Sequence, residues 1–495
     1  MTNTVKNYIN GKFVSSHSQG TTDIINPATC ELLGRTPVGC GEDVDEAVMA
    51  AQDAFLKWRD VPVVDRVQYF FRLRGILEKH QDELATVLVR EHGKTYKEAL
   101  ASVRRAIQMV ETACAMPSLT MGDYKDDVAS GIDSTAERRP LGVFACVAPF
   151  NFPAMVPYWF WPFAVAAGNT YIVKPSEQVP LSQVRMFELI QEAGFPTGVI
   201  NMVHGGKPAV DALLTHPQVK GISFVGSTAV AKYIYQTGTA NGKRVQALGG
   251  AKNCLVLLPD APMEKSVRAM VDSCFGCAGE RCLAGSILIG IGDAYDKMKE
   301  LVVKYAKEIV VGDGLDTKVT MGPVATAKAK ERILKDIEAG IKEGAELLLD
   351  GRNVKVPGRE GHFIGPTVFN KIKPGTTLTT KEIFGPVIGL IQMKNLDEAI
   401  TMINNSNYGN TTSLFTSNGA AARYFISKVE PSMVGINLGV PAPMSTFGFG
   451  GSKESFFGDI KGQSSAVRFF TEEHISMIRW FDDSVEEFVS PHWGR

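Results

Sequence analysis

The stretch that organises this chain runs from Cys274 to Ser286 and reads CFGCAGERCLAGS. It places three cysteines beside an adjacent Glu280–Arg281 pair, among small residues and without a proline. A thiol that acts as a nucleophile needs its thiolate form, which a neighbouring arginine, backbone N–H groups and a partly open site favour. Cys282 directly follows Arg281, so it is the candidate nucleophile, and its neighbours are expected to favour the thiolate at neutral pH.

The other cysteines allow simpler interpretations. Cys274 and Cys277 form a CxxC pair, but no second CxxC and no paired histidines follow at ligand spacing, so we predict no metal site. A buried, inert thiol is the common fate of a single cysteine. We expect this for the remaining five, which are Cys30, Cys40, Cys114, Cys146 and Cys254.

The segment GERCLAG at 279–285 resembles the nucleophile segment of the aldehyde dehydrogenase superfamily, and the resemblance continues along nearly the whole chain. Further matching motifs follow in the family's order and spacing: APFNFP at 148–153, YIVKPSE at 171–177, SFVGST at 223–228, KEIFGPV at 381–387 and INLGVPAPM at 436–444. Within the superfamily, RVQALGGAKN, GERC and GVPAPM look most like the CoA-acylating methylmalonate and malonate semialdehyde dehydrogenases.

Composition sets the outer limits. The 495 residues suffice for two or three domains, and 44% hydrophobic with 21% charged residues is typical of a globular protein. A net charge of -1 gives no electrostatic reason to expect nucleic acid or an anionic membrane as partner. The start of the chain lacks the apolar core of a signal peptide, and a catalytic thiol suits a reducing compartment, so we expect a cytoplasmic protein.

The order of hydrophobic patterns predicts an α/β protein with a doubly wound parallel sheet. Asn10-Gly11 indicates a hairpin, and helical spacing begins at Asp43 and continues in segments near 64–80, 82–92 and 95–115. Short apolar runs then alternate with stretches long enough for crossover helices: these are GVFACVAP at 142–149, NTYIVKP at 169–175, VINMVHG at 199–205 and GISFVG at 221–226. Prolines and glycine interrupt the apolar stretch 153–173, which favours a buried helix over a membrane span.

After Gly250 the strand–helix pattern restarts, which predicts a second α/β domain that carries Cys282. We therefore assign residues 1–121 and 143–250 to an NAD-binding domain and 251–440 to a catalytic domain. The resemblance implies that 122–142 and 460–495 form an oligomerisation arm and C-terminal tail, and that the protein is a homodimer or homotetramer.

The resemblance also implies the chemistry. Attack of the Cys282 thiolate on an aldehyde gives a thiohemiacetal, and Asn151 matches the family's donor to its oxyanion, together with the backbone N–H of Cys282. From the sequence alone, Asn151 is more readily interpreted as a routine turn residue, and the resemblance favours the functional role. A non-catalytic protein on the same fold is the third class of function, and the joint presence of Cys282, Asn151 and Glu382 argues against it.

The usual GxGxxG fingerprint is absent, and GSTAVA at 226–231 resembles the family's own variant of it. Lys174 and Glu177 match contacts to the adenosine ribose, Ser227 a pyrophosphate contact, and Glu382 the nicotinamide ribose contact. Glu177 favours NAD over NADP, because a carboxylate repels a 2′-phosphate, whereas Lys174 leaves NADP possible. The complete set of predicted cofactor-binding residues is Ala148, Phe150, Lys174, Glu177, Gln178, Ser227, Gly249 and Glu382.

Hydrolytic members of the family carry a glutamate before Leu-Gly-Gly as general base, and here Ala247 holds that position. Alanine cannot accept a proton, which favours transfer of the acyl group to CoA. Glu280 is the alternative base that would allow hydrolysis to a free acid.

Arg105 and Arg281 match positions that bind a substrate carboxylate, for which arginine is better suited than lysine. Each arginine has an alternative interpretation. Arg281 could serve only to lower the pKa of Cys282, and Arg105 could be a surface charge like its neighbour Arg104. The expected substrates are malonate and methylmalonate semialdehyde, with acetyl-CoA or propanoyl-CoA as products. The chain departs from that branch after GVPAPM, where four residues are expected to make the wall of the substrate site smaller and more polar: these are Ser445, Thr446, Gly448 and Ser452.

Overall fold

The computed structural model describes residues 3–458 and 466–481, which form two large sheets with flanking helices and a smaller three-stranded sheet. The strands are β1 (Asn7–Ile9), β2 (Lys12–Val14), β3 (Thr21–Ile25), β4 (Leu32–Pro37), β5 (Asp123–Ala129), β6 (Ile132–Pro140), β7 (Val143–Val147), β8 (Thr170–Lys174), β9 (Ile200–Met202), β10 (Val219–Val225), β11 (Arg244–Leu248), β12 (Asn253–Leu257), β13 (Gly285–Ile291), β14 (Glu346–Leu349), β15 (Thr367–Asn370), β16 (Val387–Met393), β17 (Tyr408–Gly409), β18 (Thr411–Phe415), β19 (Met433–Ile436), β20 (Ser452–Lys453), β21 (Phe456–Phe457) and β22 (Thr471–Arg479).

The helices are α1 (Gly41–Trp58), α2 (Val63–Lys79), α3 (Gln81–His92), α4 (Tyr96–Ala113), α5 (Met116–Leu119), α6 (Trp161–Ala166), α7 (Leu181–Glu192), α8 (Lys207–Thr215), α9 (Thr228–Ala240), α10 (Met263–Phe275), α11 (Ala294–Lys307), α12 (Ala327–Lys342), α13 (Thr377–Thr380), α14 (Leu396–Asn404), α15 (Gly419–Lys428) and α16 (Ala466–Phe470). Short 3-10 turns span Val156–Trp159 and Gly276–Gly279. The predicted early helices and the β1–β2 hairpin are confirmed.

The first sheet has the strand order β2-β1-β9-β8-β7-β10-β11-β21, and its five strands from β9 to β11 are parallel. The residues of β7, VFACV, and of β8, TYIVK, are all buried, as expected for the interior of a parallel sheet covered on both faces. The chain moves from β7 to β8 and β9 on one side, then crosses to β10 and β11 on the other. A crevice is expected at this reversal, between β7 and β10.

The second sheet has the order β14-β15-β16-β13-β12-β18-β19, and only the β14–β15 pair is antiparallel. Residues 249–252 alone connect β11 of the first sheet to β12 of the second. Each sheet has its own buried apolar clusters. The predicted alternation of strands and helices is therefore confirmed, whereas the limits of the domains stay a prediction.

The third sheet pairs β22 and β5 with the two edges of β6, in antiparallel register. It unites the segments that were predicted to form an arm, 122–142 and the end of the chain. Residues 460–465 and 482–495 of the predicted tail lie outside the described residues.

Two expectations are wrong. The stretch 153–173 is not one helix, because Pro157, Pro162 and Gly168 divide it into a 3-10 turn, the six-residue α6 and the start of β8. Cys146 and Cys254 are buried as expected, but Cys30 is exposed, while Cys40 and Cys114 are half-buried. None of the helices within 3–458 and 466–481 has the length and apolar character needed to cross a membrane.

Candidate active site

The carboxyl ends of the parallel strands in the first sheet carry most of the predicted cofactor-binding residues. Ala148 follows β7, Lys174 ends β8, Ser227 follows β10 and Gly249 follows β11. Strands that run parallel end at the same edge, so these residues share one side of the sheet. Hydrogen bonds join residues that follow β7 and β11 to the loops that carry Cys282 and Glu382, which precede β13 and β16 respectively.

Cys282 lies three residues before β13, and its main chain is held by two asparagines. Asn253 Nδ2 and Asn410 Nδ2 donate to the Cys282 carbonyl oxygen at 2.8 and 3.0 Å. The residue lines a cavity of about 960 Å³ and, on another side, a small cleft that it shares with Glu382. Cys282 thus lies between the two cavities.

The surroundings of Cys282 do not favour its thiolate overall, although Arg281 and the backbone N–H groups act on its pKa in the expected direction. Burial raises the pKa of Cys282 to about 12, and the nearby Glu382 carboxylate also raises it. The backbone N–H groups of Cys282 and Leu283 and the charge of Arg281 lower the pKa but do not offset burial. The thiol is therefore neutral at pH 7 in this environment.

Asn151 follows β7 at the strand-order reversal and is 4% exposed. Its Nδ2 donates to the carbonyl oxygen of Glu280 at 3.0 Å, which links the loop after β7 to the loop that carries Cys282. An amide nitrogen carries two N–H groups, so one of them remains for a substrate oxygen. The geometry accommodates the predicted role as oxyanion donor, which stays a prediction.

Neither Ala247 nor Glu280, the two positions considered for a general base, presents a carboxylate to the cavities beside Cys282. Ala247 is fully buried in an apolar cluster and presents only a methyl group. The carboxylate of Glu280 is also buried, accepts the backbone N–H of Ala325 at 3.1 Å, and is not among the residues that line either cavity beside Cys282. Burial raises the pKa of Glu280 to about 8.

Arg105 and Arg281 line the same cavity as Cys282. Arg105 Nη1 donates to Gln108 Oε1 at 3.0 Å, and no carboxylate within the described residues pairs with this guanidinium by an ion-pair contact. Arg281 Nη2 forms an ion pair with Glu98 Oε1 at 3.0 Å. Two guanidinium groups thus line the cavity, and the charge of Arg281 is partly neutralised by Glu98.

The cofactor side of the site contains groups suited to a dinucleotide. Lys174 is buried, and its Nζ donates to the Gly205 carbonyl at 2.7 Å and lies 3.5 Å from Glu177 Oε2. Ser227 precedes the 13-residue α9, whose N-terminus favours a phosphate. Gln178 lies one residue after Glu177 in the loop between β8 and α7.

Glu382 and the residues that follow the two glycines after β11 line the small cleft beside Cys282. Glu382 Oε1 accepts the backbone N–H of Ala251 at 2.9 Å, and a Cβ at Gly250 would overlap the other carboxylate oxygen. Burial raises the pKa of Glu382 to about 7. Phe150 packs between the His92 ring, at 6.2 Å, and the Phe384 ring, at 5.9 Å. Gly250 thus leaves room for the carboxylate of Glu382, the residue predicted to contact the nicotinamide ribose.

The wall beyond GVPAPM is not the polar surface that was expected. None of the four small or polar residues is among those lining the cavity. Ser445 pairs with Thr112 Oγ1 at 2.7 Å, and Ser452 Oγ donates to backbone carbonyls. The segment instead contributes Phe449, whose ring lies 4.3 Å from that of Trp159. The prediction failed because side-chain direction in an irregular segment cannot be read from sequence.

Several residues at the site were not predicted from the sequence: these are Lys94, Glu98, Asn253 and Asn410. Thr95-x-x-Glu98 is the signature of a capping box at the start of α4, so a signal for Glu98 was present. Within the described part of the chain, no cluster of three or more His, Cys, Asp and Glu side chains is arranged to hold a metal ion.

Comparison with known proteins agrees with this geometry. The model of the aldehyde dehydrogenase family matches residues 13–475. Malonate-semialdehyde dehydrogenase 2 of Geobacillus thermodenitrificans is 44% identical over 479 residues, which are 97% of this chain and 99% of that protein. The crystal structure of methylmalonate-semialdehyde dehydrogenase from Oceanimonas doudoroffii superimposes with a TM-score of 0.96 at 41% identity, and covers 98% of this chain and 100% of that one.

An aldehyde dehydrogenase from Bacillus cereus, solved as its NAD⁺ complex, has a TM-score of 0.92 at 30% identity, over 96% of this chain and 97% of that one. The predicted α/β fold and the predicted resemblance are confirmed. From the matched residues and the shared architecture it follows that this chain belongs to the aldehyde dehydrogenase family.

Proposed function

We propose that this enzyme oxidises malonate or methylmalonate semialdehyde with NAD, through a thioester on Cys282, and transfers the decarboxylated acyl group to CoA. The observation that carries the proposal is that two guanidinium groups, of Arg105 and Arg281, line the cavity that reaches Cys282. Arginine binds a carboxylate through paired N–H donors, so the cavity suits a short aldehyde with an anionic end. The similarity to a malonate-semialdehyde dehydrogenase over 97% of the chain supports the same substrate class.

The chain's own residues then act in order. The Cys282 thiol gives up its proton to water, and its thiolate sulfur forms a bond to the aldehyde carbon while the carbonyl electron pair moves to oxygen. Asn151 Nδ2 and the Cys282 backbone N–H stabilise that oxyanion. When bound, NAD supplies the hydride acceptor, and loss of hydride from the same carbon leaves a thioester on Cys282.

The bond from the thioester's α-carbon to the carboxylate then breaks. Carbon dioxide leaves, and a proton adds to the carbon to give the acetyl or propanoyl thioester. A CoA thiolate attacks the carbonyl carbon and Cys282 departs as the leaving group. Because Ala247 offers no proton acceptor and Glu280 is held at Ala325, water has no positioned base within these residues. The alternative, hydrolysis to a free acid, has less support.

For the cofactor we propose the contacts named above, with Lys174 and Glu177 at the adenosine ribose, Ser227 at the pyrophosphate and Glu382 at the nicotinamide ribose. Ala148, Phe150, Gln178 and Gly249 complete the predicted set at the same strand ends. A reducing compartment suits the catalytic thiol, so we place the reaction in the cytoplasm.

We also propose a homodimer or homotetramer assembled through the three-stranded sheet. Its strands expose several large apolar side chains, which a monomer leaves in water: these are Tyr124, Val128, Ile475 and Met477. Light scattering after size exclusion would give the subunit number, and a monomeric wild-type enzyme would contradict this part of the proposal.

The test of the reaction is NADH formation from either semialdehyde, with and without CoA, together with identification of the acyl product. We expect a burst of about one NADH per subunit without CoA, and steady turnover to acetyl-CoA or propanoyl-CoA with it. Sustained turnover to a free acid without CoA would overturn the transfer step. Much better use of aldehydes without a carboxylate would overturn the substrate assignment.

A further inference from the structure

The turn between α3 and α4 places a buried lysine against the predicted oxyanion loop. Lys94 is 1% exposed, and its Nζ donates to the backbone carbonyl of Asn151 at 2.7 Å. The same ammonium lies 4.0 Å from the centre of the Phe152 ring. A buried cation is costly unless it is paired, so these contacts fix the loop after β7 against Lys94.

One turn later, Glu98 joins the start of α4 to the loop that carries the nucleophile. Its Oε2 accepts from the Thr95 backbone N–H at 3.0 Å and the Thr95 hydroxyl at 2.9 Å. Its Oε1 accepts from the Cys277 backbone N–H at 2.7 Å and from Arg281 Nη2 at 3.0 Å. All of these contacts lie on a side chain that is 15% exposed.

The loop held by Glu98 has an unusual backbone. Cys277 and Ala278 have φ angles of 50° and 53°, and Gly279 follows at +73°. Two consecutive non-glycine residues in the left-handed region persist only where surrounding structure holds them. The Glu98 contact is made by the N–H of the first strained residue, five positions before Cys282.

We propose that Lys94 and Glu98 are positioning residues for the acylation step: Lys94 holds the Asn151 loop, Glu98 holds the Cys282 loop, and their closeness in sequence fixes the distance between the two loops. The inference rests on the roles proposed above for Asn151 and Cys282. Glu98 also orients Arg281, because its carboxylate accepts a hydrogen bond from one N–H group of that guanidinium.

The test compares the rate constant of the NADH burst, by stopped flow, for Glu98→Gln and Glu98→Ala. Glutamine keeps an oxygen for the Cys277 N–H, whereas alanine loses every contact. We expect a fall of about 100-fold for alanine, because a displacement of about 1 Å costs that much, and substantial rescue by glutamine. The KM for NAD is expected to stay within about threefold of wild type, as the cofactor contacts are untouched.

Glu111→Gln is the matched control. Glu111 lies on the same helix and pairs with Arg74 and Arg104, away from the cavity. For the lysine, Lys94→Met is compared with Lys243→Met, since Lys243 is also buried and also donates to backbone carbonyls. Both controls are expected to leave the burst rate constant within about threefold of wild type.

Two aldehydes separate this inference from the proposed function. Malonate semialdehyde carries the carboxylate and propanal does not, and the wild-type burst is measured with each before the variants are compared. Loss with both aldehydes supports positioning. A loss confined to the semialdehyde would mean that Glu98 acts only through Arg281, which would overturn its role in positioning the loop. An unchanged burst in both Glu98→Ala and Lys94→Met would also overturn the inference, and so would an equal fall in the controls. If Glu98→Ala does not fold, the pair Lys94→Met and Lys243→Met decides: an unchanged burst in Lys94→Met, or an equal fall in Lys243→Met, would overturn the inference.

Discussion

The side-chain amide of Asn151 donates to the carbonyl of Glu280 at 3.0 Å, two residues before Cys282 in the sequence. This contact crosses between the end of β7 in one sheet and the start of β13 in the other. The residues proposed as oxyanion donor and nucleophile are therefore linked through the backbone of Glu280.

Asn151→Ala is expected to lower the NADH burst rate constant about 10²–10³-fold, because it removes an oxyanion donor and the link to Glu280. Stopped-flow absorbance measures the burst. Asn201→Ala is the control, since Asn201 is also buried and also donates to a backbone carbonyl, that of Gly198. Equal losses in both variants would show that Asn151 acts only through folding.

Arg105→Gln is expected to raise the KM for malonate semialdehyde about 10–100-fold, since hydrogen bonds between charged groups contribute about 1.5–3 kcal/mol. The KM for propanal should not change, because propanal has no carboxylate. The neighbouring Arg104 pairs with Glu78 and Glu111, which makes Arg104→Gln a control on the same helix. If Arg104→Gln gave the larger effect, the assignment of the register would be wrong.

Alkylation of Cys282 in the enzyme without cofactor is expected to be slow at pH 7 and to rise about tenfold per pH unit up to pH 10. The reason is that burial raises the pKa of the thiol to about 12, and only the thiolate reacts. Mass spectrometry after timed treatment with iodoacetamide measures it, with the exposed Cys30 as internal reference. A rate that levels off below pH 9 would contradict the prediction.

The KM for NAD is expected to rise as the pH falls below about 7. Burial raises the pKa of Glu382 to about 7, so this side chain becomes protonated below that pH. The charged carboxylate that is proposed to accept hydrogen bonds from the ribose hydroxyls is then lost. Glu382→Gln should raise the KM and flatten its pH dependence between pH 5.5 and 8.5. Glu91→Gln should not flatten it, although the pKa of Glu91 is raised to about 7 too, because its carboxylate caps α7 at Leu181 and Ser182.

Glu280→Gln is expected to stabilise the protein increasingly as the pH rises. The folded pKa of about 8 lies above the usual value of 4.5, so the contribution of Glu280 to stability is complete below about pH 4.5 and is lost as the pH rises through 8. Glutamine avoids the buried charge and keeps an acceptor for Ala325. We expect a gain of at least about 1 kcal/mol at pH 9 and little at pH 5, by denaturant unfolding. A gain independent of pH would refute this.

The sequence was sufficient for those features that local pattern determines. Continuous apolar runs identified β7, β8 and β10, and the order of motifs brought Cys282, Asn151 and Glu382 into one family's site. The ion pair of Arg281 with Glu98 was not predictable in this way, because 183 residues separate the partners. The pKa of Cys282 was not predictable either. Burial raises it by more than the charge of Arg281 lowers it, and the burial of one atom depends on the whole fold.

The buried state of Cys274 and Cys277 has a consequence for the fate of the acyl group. These thiols are 1% and 2% exposed, and burial raises the pKa of both. Cys282 is half-buried, whereas these two thiols are buried, and burial disfavours the thiolate form that exchange with a thioester on Cys282 requires. In the proposed reaction, the thioester on Cys282 then persists until an external thiol enters the cavity, so the acceptor rather than these two sulfur atoms determines when the acyl group leaves.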